Sequence, residues 1–276
     1  MMDRGRNPVN LACQWLHTAR RRHTLDLELE GRTALVTGAS AGIGAGIAAC
    51  LGREGVRLVL AGRDRPRLEM VAQALTGAGA PAPLLVIGDV ATEAGVADVA
   101  KAALAGLGRI DILINNAGAS RPLKGEETEE FWAEAMALNF ASARRLTQLL
   151  VGGMKDAGFG RIINVTGAVF GTAVNGAGAA KAALHSWSRA KAFELGPHGI
   201  TVNCIAPGRI NSIQILEKLH PTEASRADYI RSNIPAGRFG EPEELGNLAV
   251  FLASPLAAYI SGALIPVDGG GVRIAM

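Results

Sequence analysis

Apolar and polar positions along this chain follow two different periods. Short stretches rich in Val, Ile and Leu recur, and the longer segments between them repeat apolar side chains every three or four positions, as helices do. The first helical segment spans 43–53, and a long one passes through Lys181. The strand-like stretches are 33–37, 57–61, 84–87, 110–114, 161–165 and 200–204. Strands that alternate with helices predict an α/β fold, a doubly wound parallel sheet of about seven strands with helices on both faces.

The expected domain boundaries follow from where this alternation begins and where it is interrupted. Residues 1–24 lack it and carry the basic run 20–23. A targeting peptide is one interpretation, but we favour a leader that is disordered or not native and has no function. Residues 25–276 then form a single domain. Within it, residues 211–233 are an insertion whose amphipathic Ile and Leu spacing predicts a helical lid, either a substrate cover or plain packing.

Composition excludes several classes of function. The 276 residues carry a net charge of +3 with both signs interspersed, so no basic stripe favours nucleic acid. No apolar run approaches the roughly 20 residues that cross a bilayer. The three cysteines are far apart and match no metal-ligand spacing. We therefore expect a cytoplasmic protein with no nucleic-acid partner, no membrane partner and no metal site.

A glycine-rich turn follows the first predicted strand and opens the first predicted helix. Glycine is needed there because backbone must approach a pyrophosphate without a Cβ in the way. The helix start adds free N–H groups and the positive end of the helix dipole. Glycines also serve tight turns, but this context favours dinucleotide binding and a Rossmann-type sheet. The residues expected to bind are Gly38, Ser40, Ala41, Gly42, Ile43 and Gly44.

The end of the second strand favours NADP over NAD. In NAD-binding sheets of this kind an acidic side chain at this point accepts a hydrogen bond from the ribose 2′-hydroxyl. Gly62 occupies that position here, and Arg63 follows it. A guanidinium can bind a 2′-phosphate through two charge-assisted hydrogen bonds. The neighbouring Asp64 and the non-basic Ala41 weaken this preference, and a solvated surface role for Arg63 stays open.

The motifs that follow resemble those of the short-chain dehydrogenase/reductase family, and the resemblance extends over 25–270. The segments 237–244, 259–262 and 267–270 also fit that family. Such a series in one order is specific for the family and says little about the substrate. The matching motifs are Asp89-Val90 after the third strand, Asn115-Asn116-Ala117-Gly118 after the fourth, then Asn139, Lys181, and Pro207-Gly208 after the sixth.

The resemblance implies a cofactor role for residues at the ends of several strands. One group would hold the adenine, a second would line the floor beneath the cofactor, and a third would contact the nicotinamide carboxamide. In that order they are Asp89 and Val90; Asn116, Ala117 and Gly118; and Pro207, Gly208 and Ile210, with the unusual Arg209 beside them.

The resemblance also implies catalytic roles for two residues. Lys181 would bind the nicotinamide ribose hydroxyls and lower the pKa of a neighbouring proton donor. Asn139 would hold a water that leads to Lys181. Both residues have simpler interpretations: Asn139 as a polar residue that bends its helix through a local hydrogen bond, and Lys181 as a surface lysine on an Ala-rich helix.

The sequence departs from the family where the proton donor should stand. Four residues before Lys181 stands Ala177, where the family's Tyr-x-x-x-Lys pattern has tyrosine. The family's serine beyond the fifth strand corresponds to Gly167. Thr166 beside it could supply a hydroxyl, and it therefore joins Asn139 and Lys181 as a candidate catalytic residue.

Several groups could replace the missing phenol as proton donor. They are Lys181 itself, a water held by Asn139, Tyr229 of the lid, and His185 one helical turn beyond Lys181. The unperturbed pKa of histidine suits proton transfer, but we favour a packing or interface role for His185. General acid–base assistance is worth about 10²–10⁴ in rate, so its loss slows carbonyl reduction without forbidding it.

Three functions stay open. We favour an NADP-dependent oxidoreductase of the short-chain dehydrogenase type, which transfers a hydride to or from a small carbonyl or alcohol with altered proton delivery. A non-catalytic NADPH-binding protein, either a sensor or a stabiliser of a partner, would need the same cofactor site. A lyase or isomerase on this fold could use Lys181. The resemblance also implies a homotetramer or homodimer, and the apolar lid indicates a partly apolar small-molecule substrate.

Overall fold

The computed structural model describes residues 25–123, 125–167 and 174–271, so the predicted leader lies outside the described residues. The strands are β1 Thr33–Thr37, β2 Arg57–Gly62, β3 Leu84–Ile87, β4 Ile112–Asn115, β5 Gly160–Val165, β6 Ile200–Pro207 and β7 Leu264–Val267. The α-helices are α1 Gly42–Arg53, α2 Arg65–Gly77, α3 Glu93–Leu107, α4 Glu129–Met136, α5 Ser142–Asp156, α6 Gly176–Leu195, α7 Glu223–Asn233 and α8 Pro242–Ala253. Two π-helical segments, Ala137–Ala141 and Gln214–Leu219, and two short 3₁₀ turns, Gly196–His198 and Pro255–Ala257, complete the described elements.

The strands form one parallel sheet in the order β3-β2-β1-β4-β5-β6-β7. β1 pairs with β2 on one side and with β4 on the other. The direction of winding therefore reverses between β1 and β4. In open parallel sheets, ligands bind in the crevice that such a reversal opens at the carboxyl ends of the strands. The predicted fold class, a doubly wound parallel sheet of about seven strands, is confirmed.

Two strands differ in extent from the prediction. β4 begins at Ile112 and not at 110, and the carboxylate of Asp111, just before it, accepts hydrogen bonds from the backbone N–H and the hydroxyl of Thr33. β6 continues past Cys204 to Pro207 because β7 pairs with it over these residues. The longer β6 carries the Pro-Gly motif to the edge of the sheet at which the other site residues lie.

The hydrophobic core lies on both faces of the sheet. Successive side chains of a strand point to opposite faces. Ala34 and Val36 of β1 therefore join the cluster beneath α1, α2 and α8, and Leu35 between them joins the cluster beneath α3, α5 and α6. All three are fully buried. Strands covered on both faces form continuous apolar runs, which is why the sequence pattern located them.

Helices α1 and α8 approach too closely for larger side chains. A Cβ at Gly46 would lie 2.5 Å from the Cβ of Pro242, and a Cβ at Gly246 would collide with the Cys50 Sγ and lie 2.9 Å from the Gly46 carbonyl oxygen. The glycine-rich turn stands at the start of α1. The packing of α8 therefore fixes the position of this turn.

We predict that Gly246→Ala lowers the free energy of unfolding by about 1–3 kcal/mol, because the added methyl group overpacks the contact between the helices. Urea denaturation measures it. Gly152→Ala is the matched control: a Cβ there meets no atom within 4 Å, and alanine favours a helix over glycine by roughly 0.5–1 kcal/mol. Equal unfolding free energies in the two variants would contradict the packing argument.

Candidate cofactor and active site

The glycine-rich turn packs against the loop that follows β4. The Asn116 Nδ2 donates to the carbonyl oxygens of Thr37 at 3.0 Å and Gly38 at 3.1 Å. Gly38 has a φ of +63°, and a Cβ there would lie 2.9 Å from the same Nδ2, so both conformation and space require glycine. The Thr37 hydroxyl in turn accepts from the backbone N–H groups of Asn116 and Ala117. Asn116 and Ala117 therefore support the turn from below.

The first turn of α1 has backbone donors that no side chain satisfies. Ala41 is the N-cap residue, no side chain caps this helix, and no acidic residue lies in its first turn. Free N–H groups at a helix start, together with the helix dipole, attract an anion. The start of α1 therefore fits a pyrophosphate. Side chains do cap α2, α3, α4, α6 and α7, and they belong to Asp64, Thr92, Thr128, Asn175 and Thr222.

The two residues beyond β2 have different partners. Asp64 is occupied as the N-cap of α2, where its carboxylate accepts from the Arg67 N–H at 3.1 Å. Arg63 is exposed, and its Nη1 lies 3.6 Å from Oδ2 of Asp89, at the end of β3. Val90, next to Asp89, is buried. The guanidinium of Arg63 thus stands between the ends of β2 and β3, while the carboxylate of Asp64 is already engaged.

Lys181 lies near the start of α6, and its ammonium contacts the end of β5. Nζ donates to the main-chain oxygen of Thr166 at 2.5 Å. A Cβ at Gly118 would lie 3.9 Å from Cε of this lysine, and a Cβ at Gly167 would lie 3.6 Å from Nζ. Burial lowers the pKa of Lys181 from 10.5 to about 8, because desolvation disfavours the charged ammonium. Such a lysine can exchange a proton near neutral pH.

The hydroxyl of Thr166 has another partner. Oγ1 donates to the main-chain oxygen of Ile205 on β6 at 3.1 Å, and the residue is fully buried. The Thr166 N–H donates to the same oxygen at 2.8 Å. This geometry favours a role for the carbonyl group of Thr166, which holds Lys181, over a role for its hydroxyl group on a substrate.

Asn139 lies in the middle of the π-helical segment that joins α4 and α5 and is buried. Its Nδ2 donates to the Ala135 carbonyl oxygen at 3.0 Å, and its Oδ1 accepts from the Ala119 N–H at 3.1 Å. A Cβ at Gly118 would lie 3.0 Å from the same Oδ1. Asn139 therefore combines the local helix hydrogen bond with a second bond that holds the loop after β4 against Lys181.

Sequence reasoning missed Asn175, the N-cap of α6. Its Oδ1 accepts from the N–H groups of Ala177 at 3.0 Å and Arg121 at 3.1 Å, and its Nδ2 donates to the Ser120 Oγ at 3.0 Å. An asparagine before a helical segment is an N-cap signal, so the cap itself could have been found. Nothing in the local pattern pointed to the bonds with the loop after β4.

The groups considered as replacements for the phenol lie in different surroundings. Ala177 is buried, one turn before Lys181 on α6. His185 is half-buried, and its Nε2 has no hydrogen-bond partner among the described residues. Burial, and then the charge of Lys181, lower the pKa of His185. Tyr229 belongs to the lid and packs against His220, with the ring centroids 4.6 Å apart.

The ends of β6 and β7 meet at a second close approach. The Gly208 N–H donates to the Val267 oxygen at 2.9 Å, and a Cβ at Gly208 would lie 2.7 Å from Cα of Asp268. Ile210 is buried and forms a bridge with Gly240, just before α8. The segment that follows Pro207 is therefore held at the carboxyl edge of the sheet.

The predicted lid contains the second π-helical segment and α7. Arg209, just beyond β6, makes two contacts with the lid. Its Nε donates to the His220 Nε2 at 3.3 Å, and its guanidinium carbon Cζ lies 4.8 Å from the ring centroid of Tyr229. Partial burial, then the charges of Arg209 and Arg226, lower the pKa of His220. The neutral imidazole is the form that accepts from Arg209.

Residues 25–123, 125–167 and 174–271 contain no cluster of three His, Cys, Asp or Glu that could ligate a metal. No helix in those ranges has the length and apolar character that crossing a membrane requires.

The candidate site consists of an uncapped helix start, a supported glycine turn and a lysine at one edge of a parallel sheet. These features define a dinucleotide-binding α/β protein with an ionisable group beside the cofactor crevice.

Comparison with known proteins places the chain within this class. A family profile described as enoyl-(acyl carrier protein) reductase matches residues 38–271. The chain belongs to the short-chain dehydrogenase/reductase family, as its motifs predicted.

Similar proteins act on different substrates. The 3-oxoacyl-(acyl-carrier-protein) reductase FabG of Pseudomonas aeruginosa is 39 % identical over 88 % of this chain and 98 % of its own length. D-beta-hydroxybutyrate dehydrogenase of Cupriavidus necator is 34 % identical over 88 % and 99 %. The structure of L-sorbose reductase from Gluconobacter frateurii with NADPH and L-sorbose has a TM-score of 0.86 and 34 % identity, covering 91 % of this chain and all of that one. The prediction of a dehydrogenase or reductase is confirmed.

Proposed function

We propose that this protein is an NADP-dependent oxidoreductase that acts on a small carbonyl or alcohol, with Lys181 in place of a tyrosine as the proton donor. One observation carries the proposal: the ammonium of Lys181 is half-buried against the carbonyl oxygen of Thr166 and has a pKa lowered to about 8. Ala177 stands at the tyrosine position one turn away. The family and its oxidoreductase members support the reaction class.

The dinucleotide site supports NADP as the cofactor. The free N–H groups at the start of α1 would hold the pyrophosphate, and Arg63 would bind the 2′-phosphate, since Asp64 is occupied at the start of α2. The similar L-sorbose reductase was solved with NADPH. Bound NADPH supplies the hydride that reaches a carbonyl carbon, and bound NADP⁺ accepts it in the reverse direction. The proposed carboxamide contacts are Pro207, Gly208 and Ile210.

We assign proton transfer in the direction of reduction to Lys181. The substrate oxygen gains a proton from Nζ as the carbonyl double bond becomes a single bond. The lysine is left neutral and regains a proton from solvent. A pKa near 8 suits both steps, because a catalytic acid is most effective when its pKa lies close to the working pH.

We propose a partly apolar substrate on the strength of the buried methyl group of Ala177 at the tyrosine position. Ile213 and Leu216 of the lid line a separate cavity against α1 and α2. A methyl group at the tyrosine position is smaller and less polar than a phenol ring, which favours apolar substrate atoms on that side of α6. The relatives' different substrates define a short list of carbonyl compounds to test.

We also propose a homotetramer or homodimer that forms through α5 and α6. Phe193 on α6 exposes 90 % of its surface, and Leu149 on α5 exposes 49 %. Large apolar side chains exposed on two long helices support a contact with a second copy of the chain.

A second candidate function is a non-catalytic NADPH-binding protein. The observation that favours it is the buried methyl group of Ala177 where the family's proton donor stands. The same cofactor residues would serve both functions. A measurement of hydride transfer therefore distinguishes the two functions, and a measurement of cofactor binding does not.

We predict that the wild-type protein transfers deuterium from C4-deuterated NADPH to one member of a panel of an acetoacetyl thioester, acetoacetate and L-sorbose. Mass spectrometry of the alcohol products detects the label. Lys181→Ala should slow the transfer by roughly 10²–10⁴-fold, the range expected for loss of a general acid. Lys191→Ala, further along α6 and paired with Glu194, should keep the wild-type rate.

Two results would contradict this proposal. Bound NADPH without label in any product of a panel extended to further ketones and aldehydes would favour the binding protein. Label transfer at the wild-type rate by Lys181→Ala would show that another group delivers the proton.

We predict that Arg63→Gln weakens NADPH binding by about tenfold to a hundredfold, the loss expected for hydrogen bonds to a charged group. NADH binding should change less than about twofold, since NADH lacks the 2′-phosphate. Fluorescence titration measures both dissociation constants. Arg65→Gln is the control, because Arg65 pairs with Glu69 on α2. An unchanged NADPH dissociation constant would assign Arg63 to the solvated surface, and equal losses for NADPH and NADH would contradict a contact with the 2′-phosphate.

A further inference from the structure

The amide of Asn175 joins the start of α6 to the loop after β4. Oδ1 accepts from the N–H of Ala177, which stands at the tyrosine position, and from the N–H of Arg121. Nδ2 donates to the hydroxyl oxygen of Ser120. One side chain therefore fixes the helix start and the serine hydroxyl relative to each other, with three hydrogen bonds of 3.0–3.1 Å.

The O–H group of Ser120 can still donate a hydrogen bond. A serine hydroxyl can accept and donate at once. Here Oγ accepts from Asn175, and among the described residues no protein acceptor lies within hydrogen-bond distance for its O–H. The residue is half-buried. A donor in this situation is available to a bound molecule.

The same loop places Ser120 close to Lys181. Gly118 packs against Cε of the lysine, and the N–H of Ala119 is held by Asn139. Ser120 is the next residue. On the other side, Ala177 and Lys181 lie one turn apart on the same face of α6. Ser120 therefore lies at the start of the helix that carries Ala177 and Lys181, in the loop that also contacts that lysine.

The loop is held rigidly in this position. Leu123 donates to the carbonyl oxygen of Val174, and Gly176 donates to that of Arg121. A Cβ at Gly176 would lie 2.7 Å from the Cβ of Ala135, so the start of α6 is pressed against α4. Donors fixed before the substrate arrives stabilise developing charge without a cost of reorganisation.

We propose that the Ser120 hydroxyl donates a hydrogen bond to the substrate's carbonyl oxygen, and that Asn175 is the positioning residue that orients it. The inference rests on the proposed function, since it assigns a second donor to the same reaction. Ser120 keeps its proton, and the proton that the substrate oxygen gains comes from Lys181. Its role is to hold the carbonyl oxygen and to stabilise the negative charge that grows on it. The family takes this hydroxyl from the loop after β5, where Gly167 stands here.

The test measures kcat and KM for the labelled carbonyl substrate in Ser120→Ala and Ser120→Thr. We expect Ser120→Ala to lower kcat by about tenfold to a hundredfold, near the lower end of the range for loss of one fixed donor. KM should change less than about threefold. Ser120→Thr keeps a hydroxyl and should recover most of the rate. Ser186→Ala, on the exposed part of α6, is the matched control and should match wild type.

Asn175→Asp tests the positioning role without removing the helix cap. Aspartate still accepts from the Ala177 N–H and is a good N-cap, but it presents an oxygen where Nδ2 stood. The Ser120 hydroxyl then donates to the carboxylate and turns away from the substrate. We expect a kcat loss similar to that of Ser120→Ala and no further loss in the double variant. The NADPH dissociation constant and the midpoint of thermal unfolding should stay at wild-type values.

Each adverse outcome points to one failed assignment. A wild-type kcat in Ser120→Ala, with label transfer intact, overturns this inference and leaves the proposed function standing. Independent losses that multiply in the double variant overturn the coupling between Asn175 and Ser120. Absence of label transfer by the wild-type protein overturns the proposed function, and this inference with it.

Discussion

The hydrogen bond between the Lys181 ammonium and the main-chain oxygen of Thr166 ties α6, the longest of the described helices, to the sheet edge that carries the site. A cation taken out of water is costly unless it is hydrogen-bonded. Thr166 can serve because its own N–H and hydroxyl both donate to Ile205 on β6. The lysine is thus held by a rigid backbone group, and its position depends on the pairing of β5 with β6.

Burial changes the chemistry of this lysine. An ordinary ammonium with a pKa of 10.5 is a weak acid at neutral pH, whereas desolvation lowers the pKa of Lys181 to about 8. In the family pattern the lysine assists a tyrosine. In the proposed mechanism Ala177 takes the tyrosine's place, and the lysine itself has the acidity for proton transfer. The hydroxyl of Ser120, held by Asn175, would supply the second polar contact that a carbonyl oxygen needs.

Much of the fold, and the glycine turn of the candidate cofactor site, could be predicted because the signals are local. Buried parallel strands form apolar runs, and Gly38 and the uncapped start of α1 belong to one continuous turn. The catalytic region was harder to predict. The sequence made the Thr166 hydroxyl a candidate for the substrate. In the structure this hydroxyl donates to the main-chain oxygen of Ile205, which lies 39 residues away in sequence. Asn175 and Ser120 lie 55 residues apart, and sequence spacing does not reveal a hydrogen bond across that distance.

The pH dependence of a single turnover tests most directly whether Lys181 is the proton donor. NADPH-bound protein is mixed with excess carbonyl substrate, and the oxidation of the nicotinamide is followed between pH 6 and about 11. This range extends well below and well above the lowered pKa of Lys181, about 8. The rate of reduction should be constant at low pH and fall as the pH rises through about 8, where Lys181 loses its proton. A rate that does not change with pH anywhere in this range would contradict this assignment.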